Sequence, residues 1–189
     1  MPPRFARALL VAAAMLALTT TLASAQDADR VAPPHVRGAT VDAAELLDEL
    51  VARSPTVRDL VGRLEHSDLL IYVRYQWFST TTLRGRIGFV AANRHRRLLA
   101  IEISSRQTHT DQLVALGHEL QHGVEIADEP SAWDAPSLAA FYTVIGDRTG
   151  SSGRAETFET VAAGETGRRV RSELATIAAP AVLAADDRN

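Results

Sequence analysis

Residues 113–128, LVALGHELQHGVEIAD, constrain the fold more than any other stretch, because they carry two chemically different faces at helical spacing. On a helix advancing about 100° per residue, Leu113, Leu116, Gly117, Leu120 and Val124 fall within about 100° of one another. His118 and His122 fall on the opposite side, about 40° apart around the axis and about 6 Å apart along it. Residues 110–127 are therefore expected to form a helix whose apolar stripe faces a core and whose two imidazoles reach one point in front. Glu119 lies about 100° round from His118, near enough to that front to touch a ligand held by both rings.

Two imidazoles at i and i+4 with a carboxylate at i+1 suit one chemistry in particular. Zinc takes neutral imidazole nitrogens, a third protein ligand and a water whose pKa it lowers towards neutrality. A carboxylate beside that water can accept its proton and later deliver it to a leaving amine. The five-residue pattern arises by chance in about one chain in a hundred of this length, so context has to add to it. Here it sits on the polar face of a helical segment that directly follows a strand-forming region, and Gly123 after His122 leaves room for another element to approach.

Composition narrows the setting. Residues 1–25 have the layout of an export signal: Arg4 and Arg7, an apolar run from Ala8 to Leu18, then Ala23-Ser24-Ala25 as the cleavage pattern. The expected product begins at Gln26 and is exported, to a periplasm or the medium, with no further candidate membrane span. Cleavage takes away two arginines and no acid, moving the formal charge from -3 to -5. That balance supplies no basic field for nucleic acid. The chain has no cysteine, so thiolate ligands and cysteine nucleophiles are excluded and the fold rests on its own core.

Residues 26–39 read as a flexible polar leader in which His35 is a bystander, 40–180 as a single domain, and 181–189 as a disordered tail. Two short helices follow the leader, broken by Ser54 as N-cap and Pro55 at the first helical position, with Leu46, Leu47, Leu50 and Val51 as an apolar stripe. Residues 69–78, 83–92 and 97–104 are expected to be three strands, with a turn at 93–96 that leaves His95 solvated. After the central helix, helices are expected at 137–145 and 155–178, separated by the loop GDRTGSSGR, which borders a cleft or simply connects. The fold class is α+β: a small antiparallel or mixed three-stranded sheet on the histidine helix, with N-terminal helices and a long C-terminal one.

His118-Glu119-Leu120-Gln121-His122 resembles the signature of the zincin metallopeptidases, and strands followed by an active helix and a further helix resemble their minimal architecture. Gly123-Val124-Glu125-Ile126-Ala127 does not continue the pattern as metzincins do, so the resemblance is to the gluzincin type, whose third ligand is a glutamate on a later helix. The last segment offers Glu156, Glu159, Glu165 and Glu173. On a wheel, Phe158, Ala162, Ala163, Val170, Leu174 and Ile177 form an apolar side with Glu159 near its middle, Glu156 at its margin and Glu165 pointing away. A carboxylate in such a stripe calls for a compensating cation, which makes Glu159 the preferred third ligand and Glu156 the runner-up. Glu173 is expected to pair with Arg168, Arg169 or Arg171.

Glu159-Thr160-Val161-Ala162-Ala163 also resembles the gluzincin Glu-x-x-Ala-Asp stretch, except that Ala163 replaces the aspartate that orients a histidine ligand. Glu125, one turn beyond His122, is expected to orient a ligand or face solvent rather than bind the ion. The resemblance implies zinc as cofactor, Glu119 as general base, a peptide or protein as substrate, and the strand at 97–104 pairing with that substrate. Tyr142 and His109 are candidates for stabilising an oxyanion, with structural roles as the plainer expectation. Two alternatives stand beside the peptidase. One is a non-catalytic exported binding module on the same scaffold. The other is a carboxylate-bridged iron protein built on Glu119-Leu120-Gln121-His122, which needs a second Glu-x-x-His that the sequence lacks.

Overall fold

The computed structural model describes residues 32–152 and 155–178. The signal at 1–25, the leader as far as residue 31 and the tail at 181–189 lie outside the described residues. In chain order the elements are β1 (Val36–Gly38), α1 (Val41–Arg53), α2 (Pro55–Leu64), β2 (Leu69–Gln76), β3 (Gly85–Ala92), β4 (Arg97–Ser104), α3 (His109–Asp128), α4 (Ala135–Ile145), β5 (Asp147–Ser152), β6 (Ala155–Glu159) and α5 (Val161–Ala178). The class is α+β, and no described helix is long and apolar enough to cross a membrane.

The helices begin where side chains can cap them. Thr40 accepts from the Ala43 N–H, Thr108 from Asp111, and Asp134 with Ser137 closes a capping box ahead of Pro136. Ser54 caps α2 with Pro55 behind it, as its sequence requires. The carboxylate of Glu173 on α5 accepts hydrogen bonds from the hydroxyls of Ser54 and Thr56, so this glutamate ties α5 to the start of α2 and does not pair with its neighbouring arginines.

The main sheet has four strands in the order β1-β2-β4-β3, with β1, β2 and β4 parallel and β3 antiparallel to β4. Leu69, Ile71 and Val73 alternate onto the same core as Leu99, Ile101 and Ile103, where they meet Leu46, Leu50, Leu64, Leu116 and Leu120 from the helices. Asn93 Oδ1 accepts from the N–H groups of His95 and Arg96, which closes the β3–β4 turn and leaves His95 exposed.

Beside the pairing of Glu173 and the number of strands in the main sheet, three further expectations are corrected. The C-terminal end of the expected leader is strand β1: Val36 is buried, and the His35 and Val36 N–H groups donate to the Glu65 carboxylate. The loop GDRTGSSGR contributes β5, which pairs antiparallel with β6, so the expected helix at 155–178 begins only at Val161. Thr160 sets that start by accepting from the Ala163 N–H at 3.1 Å, a local cap that overrides the helical pattern of the residues before it. Finally, β4 lies between β2 and β3, so its edges are taken and it cannot pair with a substrate; β3 is the edge strand on that side.

Two features set the position of α3. A Cβ at Gly117 would stand 2.9 Å from Val170 of α5 and 3.3 Å from Val57 of α2, so the absent side chain lets these helices touch. At the far end Arg97, almost fully buried, donates to both oxygens of Asp68 at 2.7 and 2.8 Å and to the carbonyls of Ile126, Glu129 and Ala132. One guanidinium thus ties the last turn of α3 and the segment that follows it to the start of β2. Its hydrogen bonds hold the Asp68 carboxyl below the ordinary value, against the opposing effect of burial. Arg97→Met should cost about 3 kcal/mol or more in urea unfolding, because it strands carbonyls and a carboxylate. Since Asp68 is stabilised in its charged form, the native chain should lose this contribution as pH falls below the ordinary carboxylate range of about 4. The Arg97→Met stability curve should be flatter there.

Candidate metal centre

α3 is buried on its apolar side by the core and over much of its other side by β3, α5 and the Tyr142 ring of α4. His122 and Glu119 are consequently buried, although the wheel places them on the polar face. The rings of His118 and His122 meet edge to face with centroids 4.9 Å apart. Glu159, the last residue of β6, brings its Oε2 to 3.4 Å from His118 Nε2. One ligand-type atom from each of His118, His122 and Glu159 falls within 4.8 Å of the other two, the spacing a single ion needs. Glu156 lies in β6 three residues earlier, with its side chain outside the described residues.

A test of fit comes from Glu159 itself. Its Oε1 is buried with no hydrogen-bond partner, a costly state for a carboxylate oxygen that has no cation beside it. The donor set is also chemically right, with two imidazoles and one carboxylate, and the residues present fit a zinc-type ion.

The electrostatics favour the ligating form at His118 and oppose it at His122 and Glu159. Burial first, and then the neighbouring His122, push the His118 pKa down to about 4, so its ring is neutral and free to ligate. Burial raises Glu119 to about 7; the charges of Glu159 and Glu125 add to this and His122 opposes it. Burial likewise raises Glu159. A Cβ on Gly85 of β3 would lie 2.9 Å from Glu119 Oε1, so the edge strand is bare where the carboxylate needs room.

Glu125 has a definite task. Its Oε2 is 2.8 Å from His122 Nδ1, leaving Nε2 as the nitrogen available to an ion. Its Oε1 accepts from the Thr160 hydroxyl at 2.7 Å, and the Tyr142 hydroxyl adds a contact at 3.4 Å. Burial would lower the His122 pKa, but the Glu125 hydrogen bond and nearby carboxylates raise it on balance. Glu125 itself is lowered by hydrogen bonds from His122 and Thr160 despite its burial. The histidine-orienting role left open by Ala163 is thus filled from α3 itself.

The two oxyanion candidates have structural partners. The Tyr142 hydroxyl donates to the His122 carbonyl and Glu125, and burial first, then the charges of Glu125 and Glu119, hold it protonated well above its ordinary value. His109 is exposed at the start of α3 and pairs with Glu49 at 2.7 Å. Glu165 is exposed. Thr160 and Gly85 escape the sequence reading; only the preference of threonine for helix starts pointed towards the first.

The centre opens into a cleft of about 1810 Å3 between β3 and the connection before it on one side and α4, the β5–β6 hairpin and α5 on the other. Comparison with known proteins found no match: no family model, no curated protein and no solved structure. Glu125→Ala should weaken zinc binding about 10- to 100-fold in a chelator-competition titration, because His122 loses the partner that fixes its tautomer.

Proposed function

We propose that this chain is an exported zinc-dependent peptidase of gluzincin-like type, with His118, His122 and Glu159 as metal ligands and Glu119 as general base. The observation that carries the reading is the unpartnered Glu159 oxygen beside two histidine rings, with a buried carboxylate of raised pKa next to them. The non-catalytic binding module shares the ligands but leaves that fourth group without a task. The bridged-iron alternative lacks its second Glu-x-x-His pair, and α3 packs on a mixed sheet where that design needs a four-helix frame.

When bound, zinc supplies a polarised carbonyl and a water of lowered pKa. Glu119 would accept a proton from the attacking water as the water oxygen bonds to the carbonyl carbon, and would pass it to the amine nitrogen as the C–N bond breaks. Burial pushes the Glu119 carboxyl up, the direction needed by a group that must both accept and return a proton. Burial of Glu119 between α3 and β3 limits its exchange with bulk water, and Gly85 keeps its rotamer open. An extended peptide has a pairing edge in β3, which borders the cleft on the Glu119 side.

The mature chain should hold about one zinc by metal analysis. Glu119→Gln should keep the zinc and lose about 100-fold or more of kcat/KM on an unfolded protein substrate. A zinc-loaded chain that cleaves nothing in either form would favour the binding module. As a finer test, Gly85→Ala should lower kcat more than it raises KM, since the added methyl pushes on the Glu119 carboxylate.

A further inference from the structure

The charged groups lining the cleft sort themselves by their partners. Glu102 is held between Arg74 and Arg86; Asp111 is held by Arg171 at 2.6 Å, with Arg84 at 3.9 Å. Glu119 and Glu159 belong to the candidate centre. Asp147 stands on β5 opposite Glu159 in the hairpin register. Arg168 remains: it lines the cleft, is exposed, and makes no hydrogen bond or ion pair among the described residues.

Between Val161 and Arg168 the α5 residues that line the cleft are both glycines. Gly164 and Gly167 line the cleft without side chains, and a Cβ on Gly167 would be only 3.7 Å from His118 Nδ1. A Cβ on Gly164 would stand 3.6 Å from Glu159 Oε1 and 3.6 Å from Arg168 Nη1. Carboxylate and guanidinium therefore look onto one small space, next to the candidate centre, without bonding to each other. The first cation a substrate meets along this wall is Arg168, whose planar donor fork suits a carboxylate.

We propose that Arg168 is a specificity-determining residue that binds a carboxylate of the substrate, on an acidic side chain or at a chain terminus, beside the bond to be cut. This rests on the peptidase reading for the word substrate, but its recognition step can be measured without cleavage. The zinc-loaded Glu119→Gln chain is titrated, by fluorescence anisotropy at low salt, with fluorescein-labelled Ala-Gly octapeptides. One peptide is neutral with an amidated end, one carries a central Glu, one a central Lys, and one is neutral with a free C-terminal carboxylate.

The Glu peptide, the free-terminus peptide or both should bind about three- to five-fold more tightly than the neutral one, and the Lys peptide more weakly. Which of the two gains affinity identifies the source of the carboxylate. Adding Arg168→Gln should bring the ratio to about one, whereas Arg169→Gln, an exposed arginine outside the cleft lining, should leave it unchanged. Equal affinities for all four peptides, or a preference that survives Arg168→Gln, would overturn the inference. Charge-selective binding with no cleavage by the unsubstituted zinc-loaded chain would overturn the hydrolytic reading and leave the role of Arg168 standing. Cleavage without charge preference would do the reverse.

Discussion

Everything around the candidate centre follows from burying the polar face of α3. A helix that carries two histidines and two glutamates on its front can be covered by protein only if each group finds a partner that replaces water. Glu125 does most of this. Its carboxylate takes a ring nitrogen from α3, a hydroxyl from α4 and the capping hydroxyl of α5, so three helices meet on one negative charge. Because Thr160 both caps α5 and donates to Glu125, the start of that helix and the orientation of His122 are set by one side chain.

The frame of the fold was legible because its signals are local and repeated. The apolar periodicity over Leu113 to Val124, the Ser54-Pro55 helix start and the β-branched runs at 69–78, 83–92 and 97–104 all correspond to elements of the structure, the first two strands each being two residues shorter than their runs. Strand β1 is three residues long and pairs in parallel with residues 35 positions away, from Val36 to Ile71, so no alternation could reveal it. The β5–β6 hairpin was hidden by composition. Gly and Ser in β5 read as loop, while Ala, Glu and Phe in β6 extend the helical pattern of α5 backwards.

That misreading matters for Glu159. The wheel argument for it assumes a helix, and the residue lies at the end of a strand. It nevertheless arrives beside His118, because the hairpin ends at Thr160 and α5 packs along α3. Helical periodicity therefore gives no reason for its position; the hairpin and the packing of α5 on α3 bring it to the rings. The orienting task of Glu125 was foreseeable from its position one turn past His122, but its bonds to Tyr142 and Thr160 depend on long-range contacts that no spacing encodes.

Gly117 sits one residue before His118, and the missing methyl there lets Val170 and Val57 press against the backbone of α3. The helix bearing the two rings and the helix that follows Glu159 are therefore gauged against each other at a hydrophobic contact, adjacent to the ligands but sharing no atom with them. The distance between His118 and α5 is set in part by this spacer. Trading bulk among 57, 117 and 170 would move Glu159 relative to the two rings while all three side chains stayed the same.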